Sequence, residues 1–491
     1  MAELDLALVL PVAILSAWGL LVLLMTPFLR ETGRGMQALV SPWSASLLGV
    51  AFAGWACLRQ WAAAGPIAGK TAYGMVHVDR FGVYLSLLVL TVGFMTLLLS
   101  ARFLEREEAE HGEFYGLTLF ALAGMVLMLE TTNLMMVLIG LEIFSVTLYV
   151  LCGVTRGRAR SVEAALKYFL LGAFSSGFLV YGLALVYGSV GSLELAEIAK
   201  STTVEHSPML ALGLGLVIVG LAFKIAIVPF HQWVPDVYTG APTNVTGFMA
   251  AATKTAALAA LIRVLAGAFG QKTELWVPLV TWLAVATMTV ANLIALAQTN
   301  IKRLLAFSSI AHAGYLLIAL VCLPDLGVRA IVYYLTAYAF MTVGAFAVAA
   351  AVGSGDASGE RGYDFVSSWA GLGHRRPWLA AAMTVFLLSM AGIPPTGGFF
   401  GKYLIFQAAV ESKQWMLAIV GSLNAVIAAY YYLGVILTMW FKEAGDDAAE
   451  PSRMTPGLAV VLTIAVAAVV YLGVAPGRVL ALFNGVTSSL I

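Results

Sequence analysis

The sequence predicts an all-α polytopic membrane protein with about fourteen transmembrane helices, and three observations carry that reading. The 491 residues are 61% hydrophobic and only 11% charged, far from the roughly 45–50% apolar and 25% charged mix of a soluble domain. Apolar runs recur from end to end, long enough to cross a hydrocarbon core about 30 Å thick at about 1.5 Å of helix rise per residue. Lys and Arg concentrate in alternate gaps between those runs, as retention of basic residues on one membrane side requires.

In chain order the expected spans are 6–29, 38–58, 80–101, 114–130, 133–153, 161–188, 208–230, 242–268, 275–297, 300–322, 328–352, 377–411, 415–441 and 455–476. They leave no room for a soluble domain, so 1–491 reads as a single integral membrane domain. Glu3 and Asp5 precede the first run where a signal peptide would carry basic residues, so that run is expected to be a retained helix. The gaps after odd-numbered helices hold fourteen basic residues, Arg30, Arg34, Arg361 and Arg453 among them, and the other gaps hold eight, including Lys70, Arg329 and Arg478. Both termini are therefore expected on the outer side. Cys57, Cys152 and Cys322 stand alone without the paired spacing of iron–sulfur or zinc sites, and no metal site is expected. A net charge of +1 argues against nucleic acid as a partner, and no glycine-rich phosphate loop follows a strand-like run.

Sliding the chain on itself by 166 positions superposes Ala164-Ala165-Leu166-Lys167-Tyr168 on Ala330-Ile331-Val332-Tyr333-Tyr334. The same offset pairs Tyr149 with Tyr315, Leu151 with Leu317, Ile227 with Ile393 and Pro229 with Pro395. Five helices separate each pair, an odd number, so the second copy enters the membrane from the opposite side and the repeat is inverted. Inverted repeats often carry ion sites on broken helices, where unwound backbone lines a hydrated cavity. Pro229 and Pro235 interrupt the first copy, and Pro394 and Pro395 interrupt the second before a run carrying Lys402; proline removes a helix hydrogen bond.

Five basic residues remain inside helices, Lys167, Lys224, Lys254, Arg263 and Lys402, together with Glu142. A charge near the bilayer centre costs about 2.5–3.5 kcal/mol on insertion scales, which makes each a functional candidate. Glu142 and Lys254 are central in their runs, Lys224 and Lys402 flank the proline breaks, Lys167 lies about one and a half turns into its helix, and Arg263 is near enough to an end to snorkel. Burial favours the neutral forms of lysine and glutamate, and a nearby opposite charge favours the ionised forms. A Glu–Lys pair that opens and closes can thus release and recapture a proton. Lys224 or Lys167 would pair with Glu142, Lys224 would pass its proton to Lys254, and Lys402 would pass one outward. His231 and His312 could relay between these stations or serve structural roles. A static Glu142–Lys224 pair that only fixes packing is the rival reading.

At these residues the chain resembles the antiporter-like membrane subunits of respiratory complex I, and within them the subunit N group. The resemblance covers nearly the whole chain and is most specific at Gly220-Leu-Ala-Phe-Lys224-Ile-Ala-Ile-Val-Pro229-Phe-His231-Gln-Trp233-Val-Pro235-Asp236 and the loop after it. Gly140-Leu141-Glu142, Ser161 to Phe169, Lys254, and Pro394-Pro395-Thr-Gly-Gly398-Phe-Phe-Gly-Lys402 support it. The resemblance implies that Glu142, Lys224, Lys254 and Lys402 are stations of a proton path and that Lys167 modulates the Glu–Lys pair. It implies three N-terminal helices in 1–110, a first five-helix unit in 111–270, its inverted copy in 271–441 and a C-terminal helix in 442–491. It further implies a translocase subunit of NADH:quinone oxidoreductase in a bacterial inner membrane. That subunit would hold no cofactor itself, with NADH, FMN, iron–sulfur clusters and quinone in the peripheral redox arm and other partner subunits. The same pattern occurs in multisubunit sodium/proton antiporters, the main alternative.

Overall fold

The computed structural model describes residues 6–31, 41–63, 71–72, 74–106, 112–201, 207–323, 325–353, 363–445, 448–449, 451 and 454–487. Glu3 and Asp5, on which the retained first helix rested, and Arg34, Lys70, Arg361 and Arg453, used above to orient the chain, lie outside the described residues. The helices are α1 (Leu6–Glu31), α2 (Pro42–Ala63), α3 (Arg80–Arg106), α4 (Gly112–Leu129), α5 (Leu134–Cys152), α6 (Ala159–Val190), α7 (Leu195–Ser201) and α8 (Pro208–Ile225). There follow α9 (Trp233–Gly240), α10 (Thr243–Ala268), α11 (Val277–Ala295), α12 (Ile301–Val321) and α13 (Asp325–Gly353). The last are α14 (Pro377–Ala391), α15 (Gly397–Glu411), α16 (Trp415–Phe441), α17 (Pro456–Val474) and α18 (Pro476–Thr487). A two-stranded antiparallel hairpin, β1 (Thr71–Ala72) and β2 (Val76–His77), precedes α3.

The protein is a multi-pass, all-α membrane protein: among the described residues twelve helices are long and apolar enough to span a bilayer. Two expected spans fall outside those twelve. The run 38–58 is helix α2, where Arg59 and Gln60 dilute the apolar composition. The run 377–411 is two helices, α14 and α15, because Gly392 takes a left-handed φ of 88° and Pro394 and Pro395 offer no N–H to continue the ladder. The expected span 208–230 likewise stops at Ile225, where Ala226 has φ 69° ahead of Pro229. Val228–Pro229 and Pro394–Pro395 are both cis.

Two compact units divide the chain. Unit 1 comprises 1–225, 252–276 and 485–491; unit 2 comprises 226–251 and 277–484. In unit 1, α1 packs on α2 and α4, α4 on α5, and α6 on α8. Trp18 Nε1 donates to Ala45 O at 2.7 Å, and Gln60 Nε2 donates to Ala7 O and Leu8 O at 3.0 and 3.1 Å, fixing α1 against α2. The α4–α5 crossing is a glycine contact in both directions: a Cβ on Gly124 would meet Gly140 O at 2.7 Å, and one on Gly140 would meet Gly124 O at 2.7 Å. In unit 2, α13 is the centre, packed on α12, α14, α15 and α17. A stripe of Trp415, Ile419, Val426, Tyr430, Leu437 and Phe441 on α16 is exposed, as a surface facing lipid or another apolar subunit should be.

The units share a local device. Helix α5 starts at the N-cap Asn133, whose side chain accepts from Met135 N, and Leu134 N and Leu195 N bridge to Leu193 O and Thr132 O. Helix α12 starts at the N-cap Asn300, whose side chain accepts from Arg303 N, and Ile301 N and Val366 N bridge to Asp364 O and Thr299 O. In each case the chain two elements later returns to pin the helix start through an isolated antiparallel bridge.

Candidate functional site

Unit 1 gathers Glu142, Lys224 and Lys254. Glu142 lies on α5, half-buried, and its Oε1 accepts from Ser176 Oγ of α6 at 2.5 Å. Tyr149, two turns further along α5, is stacked edge-on against Tyr168 of α6 with centroids 4.7 Å apart. Lys224 is in the last turn of α8 and 3% exposed. Its Nζ donates to Tyr149 OH at 3.3 Å and sits 4.9, 5.1, 5.5 and 5.8 Å from the rings of Tyr168, Tyr149, Phe223 and Phe144. Four ring faces replace part of the hydration an ammonium loses, each by roughly 0.5–2 kcal/mol. Among the described residues no ion pair joins Lys224 to Glu142; their link runs through α5, which carries both the carboxylate and the tyrosine.

Lys254 is 2% exposed and opens the α-helical stretch Lys254–Ile262 of α10, which packs on α8. Immediately before it, Met249–Thr253 is π-helical. Such a bulge rotates the side chains that follow relative to an unbroken helix. Lys167 is separate from the cage: its Nζ pairs with Glu163 Oε1 at 2.7 Å, one turn away on α6, and both side chains are exposed, 42% and 61%.

Unit 2 gathers Lys402 and His312. The break after α14 orphans the last carbonyls of that helix, where the macrodipole is negative. Lys402 Nζ donates to two of them, Met390 O at 2.9 Å and Ala391 O at 3.0 Å, and lies 4.8 Å from the Tyr315 ring. Ser389 Oγ accepts from Gly398 N at 3.0 Å across the same break. His312 is 2% exposed on α12. Its Nδ1 bonds Tyr334 OH and its Nε2 bonds Tyr432 OH at 3.1 Å, and Tyr432 OH bonds Ser308 Oγ. Tyr315 stands between the two stations, its ring 6.1 Å from the His312 ring. His231 follows the first break; its Nδ1 is buried and has no hydrogen-bond partner among the described residues. The lysine cages use repeat-related rings, Tyr149 for Lys224 and Tyr315 for Lys402.

Three features escaped the sequence reading. Arg263 does not snorkel: it is 3% exposed and forks onto Asp79 through two 2.7 Å bonds, with a third from NH2 to Leu129 O at 2.9 Å. Asp79 precedes α3 and reads as a loop residue, so only the long-range contact shows the pair. Glu130 is fully buried; its Oε1 accepts from Ser86 Oγ at 3.0 Å, and among the described residues its Oε2 has no partner. It closes the expected span 114–130 and was not singled out there. The tyrosines of the His312 network resemble core aromatics in sequence, and nothing local distinguishes them. Among the described residues no three His, Cys, Asp or Glu gather as a metal site, and the three cysteines are buried singly.

Residues 131–428 match the family model "NADH:quinone oxidoreductase/Mrp antiporter, TM". The chain is 42% identical over 480 residues to NADH-quinone oxidoreductase subunit N of Trichlorobacter lovleyi, covering 97% of this chain and 96% of that one. It is 43% identical over 477 residues to NADH-quinone oxidoreductase subunit N 1 of Solibacter usitatus, covering 96% and 95%. Among solved structures, a chain of respiratory complex I from Thermus thermophilus superposes with a TM-score of 0.79 at 35% identity over 96% of this chain and 98% of that one. A chain of the Mrp complex from Dietzia sp. shares the fold, with a TM-score of 0.81 at 20% identity over 98% and 97%. Matched along nearly its whole length, the chain belongs to the antiporter-like membrane-subunit family of NADH:quinone oxidoreductases, among the subunit N proteins.

Proposed function

We propose that this chain is a proton-translocating membrane subunit of a bacterial NADH:quinone oxidoreductase, a translocase whose driving reaction takes place in partner subunits. The observation that carries the reading is the depth of three lysines beside helix irregularities: Lys224, Lys254 and Lys402 are 3%, 2% and 5% exposed. A merely structural subunit would gain more from apolar residues there, since replacing buried ion groups by packed hydrophobes is often stabilising by about 1–4 kcal/mol. Lys224 alternates between Tyr149 and Glu142, releasing a proton toward Lys254 when it is away from the carboxylate. Lys402 serves unit 2, with His312 and its tyrosines as the hydrogen-bonded relay and His231 beside the first break. Lys167, held by Glu163, adjusts the charge felt by Glu142 on the neighbouring helix. NADH, FMN, iron–sulfur clusters and quinone belong to the partners.

The same reading divides the chain into three N-terminal helices (1–110), a five-helix unit (111–270), its inverted copy (271–441) and a C-terminal helix (442–491), with both termini outside. The paired N-cap bridges at Asn133 and Asn300 support the repeat. The test is the complex purified from its native membrane and reconstituted in vesicles, with Lys254→Ala in this subunit. NADH-driven proton uptake should fall by at least half while assembly is retained. Undiminished pumping per NADH oxidised would reduce the subunit to a scaffold. Co-purification with small hydrophobic subunits and sodium-dependent exchange, without NADH oxidation, would make it an antiporter subunit.

A further inference from the structure

A cavity of about 370 Å³ opens in unit 2 between the first turns of α13, the Phe400–Ala408 stretch of α15 and the start of α18. Its walls are mainly apolar, with Phe400, Tyr403, Leu404 and Leu480 among them. Arg329 is its one charged lining residue, and the Nε of that guanidinium is buried without a hydrogen-bond partner. Gln407, also in the wall, turns its amide to Glu411 at 2.8 Å. Among the described residues the buried Nε of Arg329 has no acceptor, and leaving a buried charged donor unpaired is costly.

The depth of the site says what kind of acceptor fits. Arg329 is four residues into α13, about 6 Å below the start of that helix. The last apolar span ends at Val474, and α18 follows at once from Pro476 with Phe483 and Val486 buried on one side and Arg478 and Leu482 exposed. Following the last apolar span without a gap, α18 starts at the membrane boundary. The cavity therefore has a cation at headgroup depth and an apolar wall, with Tyr403 53% exposed, running toward the hydrocarbon. That is the shape of a phospholipid: a phosphate for the guanidinium fork, acyl chains for the wall.

We propose that this cavity is a binding site for one anionic phospholipid, its phosphodiester held by Arg329 and its acyl chains against Phe400, Leu404 and Leu480. Arg478, beside Gly477 at the rim, adds a second positive charge and favours a headgroup with net negative charge over a zwitterionic one.

The test uses the intact complex in phosphatidylcholine nanodiscs doped with photoreactive phosphatidylglycerol, the label being mapped by mass spectrometry. Label is expected on peptides carrying Arg329, Tyr403 or Leu480, displaced by excess phosphatidylglycerol but not by phosphatidylethanolamine. Arg329→Gln should lower that labelling about tenfold, as loss of a charge-assisted hydrogen bond of about 1.5 kcal/mol implies. A second variant, Gly477→Phe, keeps the charge and fills the space; a Cβ at Gly477 meets nothing within 4 Å, so the fold accepts it. It should abolish the label while NADH oxidation and assembly persist. Labelling unchanged in both variants overturns the proposal. So does equal displacement by phosphatidylethanolamine, or a photoreactive residue at Tyr403 that captures a neighbouring subunit instead of lipid.

Discussion

Lys224 shows how a single ammonium is kept inside an apolar protein and still left free to move. One hydrogen bond of 3.3 Å to Tyr149 and four ring faces hold it, and none of these is a fixed countercharge. Tyr149→Phe keeps the ring and removes the acceptor. A hydrogen bond to a charged group contributes about 1.5–3 kcal/mol, so coupled proton uptake should drop about tenfold, while Lys224→Arg, too large for the cage, should assemble poorly. Unchanged proton uptake in Tyr149→Phe would remove the tyrosine from the path. The Asp79–Arg263 fork is different in kind, being bidentate and closed. Asp79→Asn strands a buried guanidinium and should cost about 3–5 kcal/mol, read as a lowered thermal midpoint of the purified complex, whereas Glu130→Gln, which can still accept from Ser86, should shift it little. His77, in the hairpin outside the membrane spans, is held below the usual histidine range chiefly by burial, with Arg263 acting the same way and Asp79 opposing. A base whose folded pKa is depressed binds fewer protons folded than unfolded, so its contribution is present above about pH 6.5 and is lost as pH falls through the folded value. Hydrogen exchange of the hairpin, corrected for intrinsic rates, should therefore rise between pH 7 and 5.5 and lose that dependence in His77→Gln.

At the scale of elements the broken helices do the positioning. The left-handed Gly392 ends α14, and the carbonyls it exposes are the acceptors for Lys402. A Cβ at Gly392 would stand 2.9 Å from Lys402 Cδ in a conformation side chains rarely adopt. Gly392→Ala should destabilise by at least about 1 kcal/mol and displace the lysine; normal proton uptake with an unchanged melting profile would refute the coupling. The α4–α5 contact has the same character. Gly140 lies two residues before Glu142, and its reciprocal approach to Gly124 sets where α5 presents the carboxylate. Gly140→Val should separate the two helices and cut proton uptake more than it cuts NADH oxidation, an outcome that Val at the open position Gly215 should not reproduce.

At the scale of the molecule, each unit contains a lysine beside a helix break and a tyrosine at the repeat-related position, Tyr149 or Tyr315. Stations in one series path limit each other, whereas parallel paths add. If the proposed path through Lys254 and Lys402 is single, the double variant Lys254→Met with Lys402→Met should lose no more proton uptake than the worse single variant. Losses that add would mean that each unit conducts alone.

Composition and hydropathy determined the membrane architecture, because a bilayer imposes one requirement, a satisfied backbone over a fixed thickness, that leaves its mark on every span. The depth of Lys224, Lys254 and Lys402 was legible for the same reason, whereas Glu142 is only half-buried; Pro229, Pro394 and Pro395 marked the breaks because missing N–H groups are written in the residue itself. The sequence could not separate Lys167, exposed and paired with Glu163, from the caged Lys224, nor show Asp79 meeting Arg263 across 184 positions. It did not show that Lys224 bonds a tyrosine, that Lys402 caps α14, or that His312 lies between Tyr334 and Tyr432. Those partners are chosen by helix crossings and by which face of each helix turns inward. In a chain apolar on nearly every face, periodicity carries no such signal, and only tertiary packing decides.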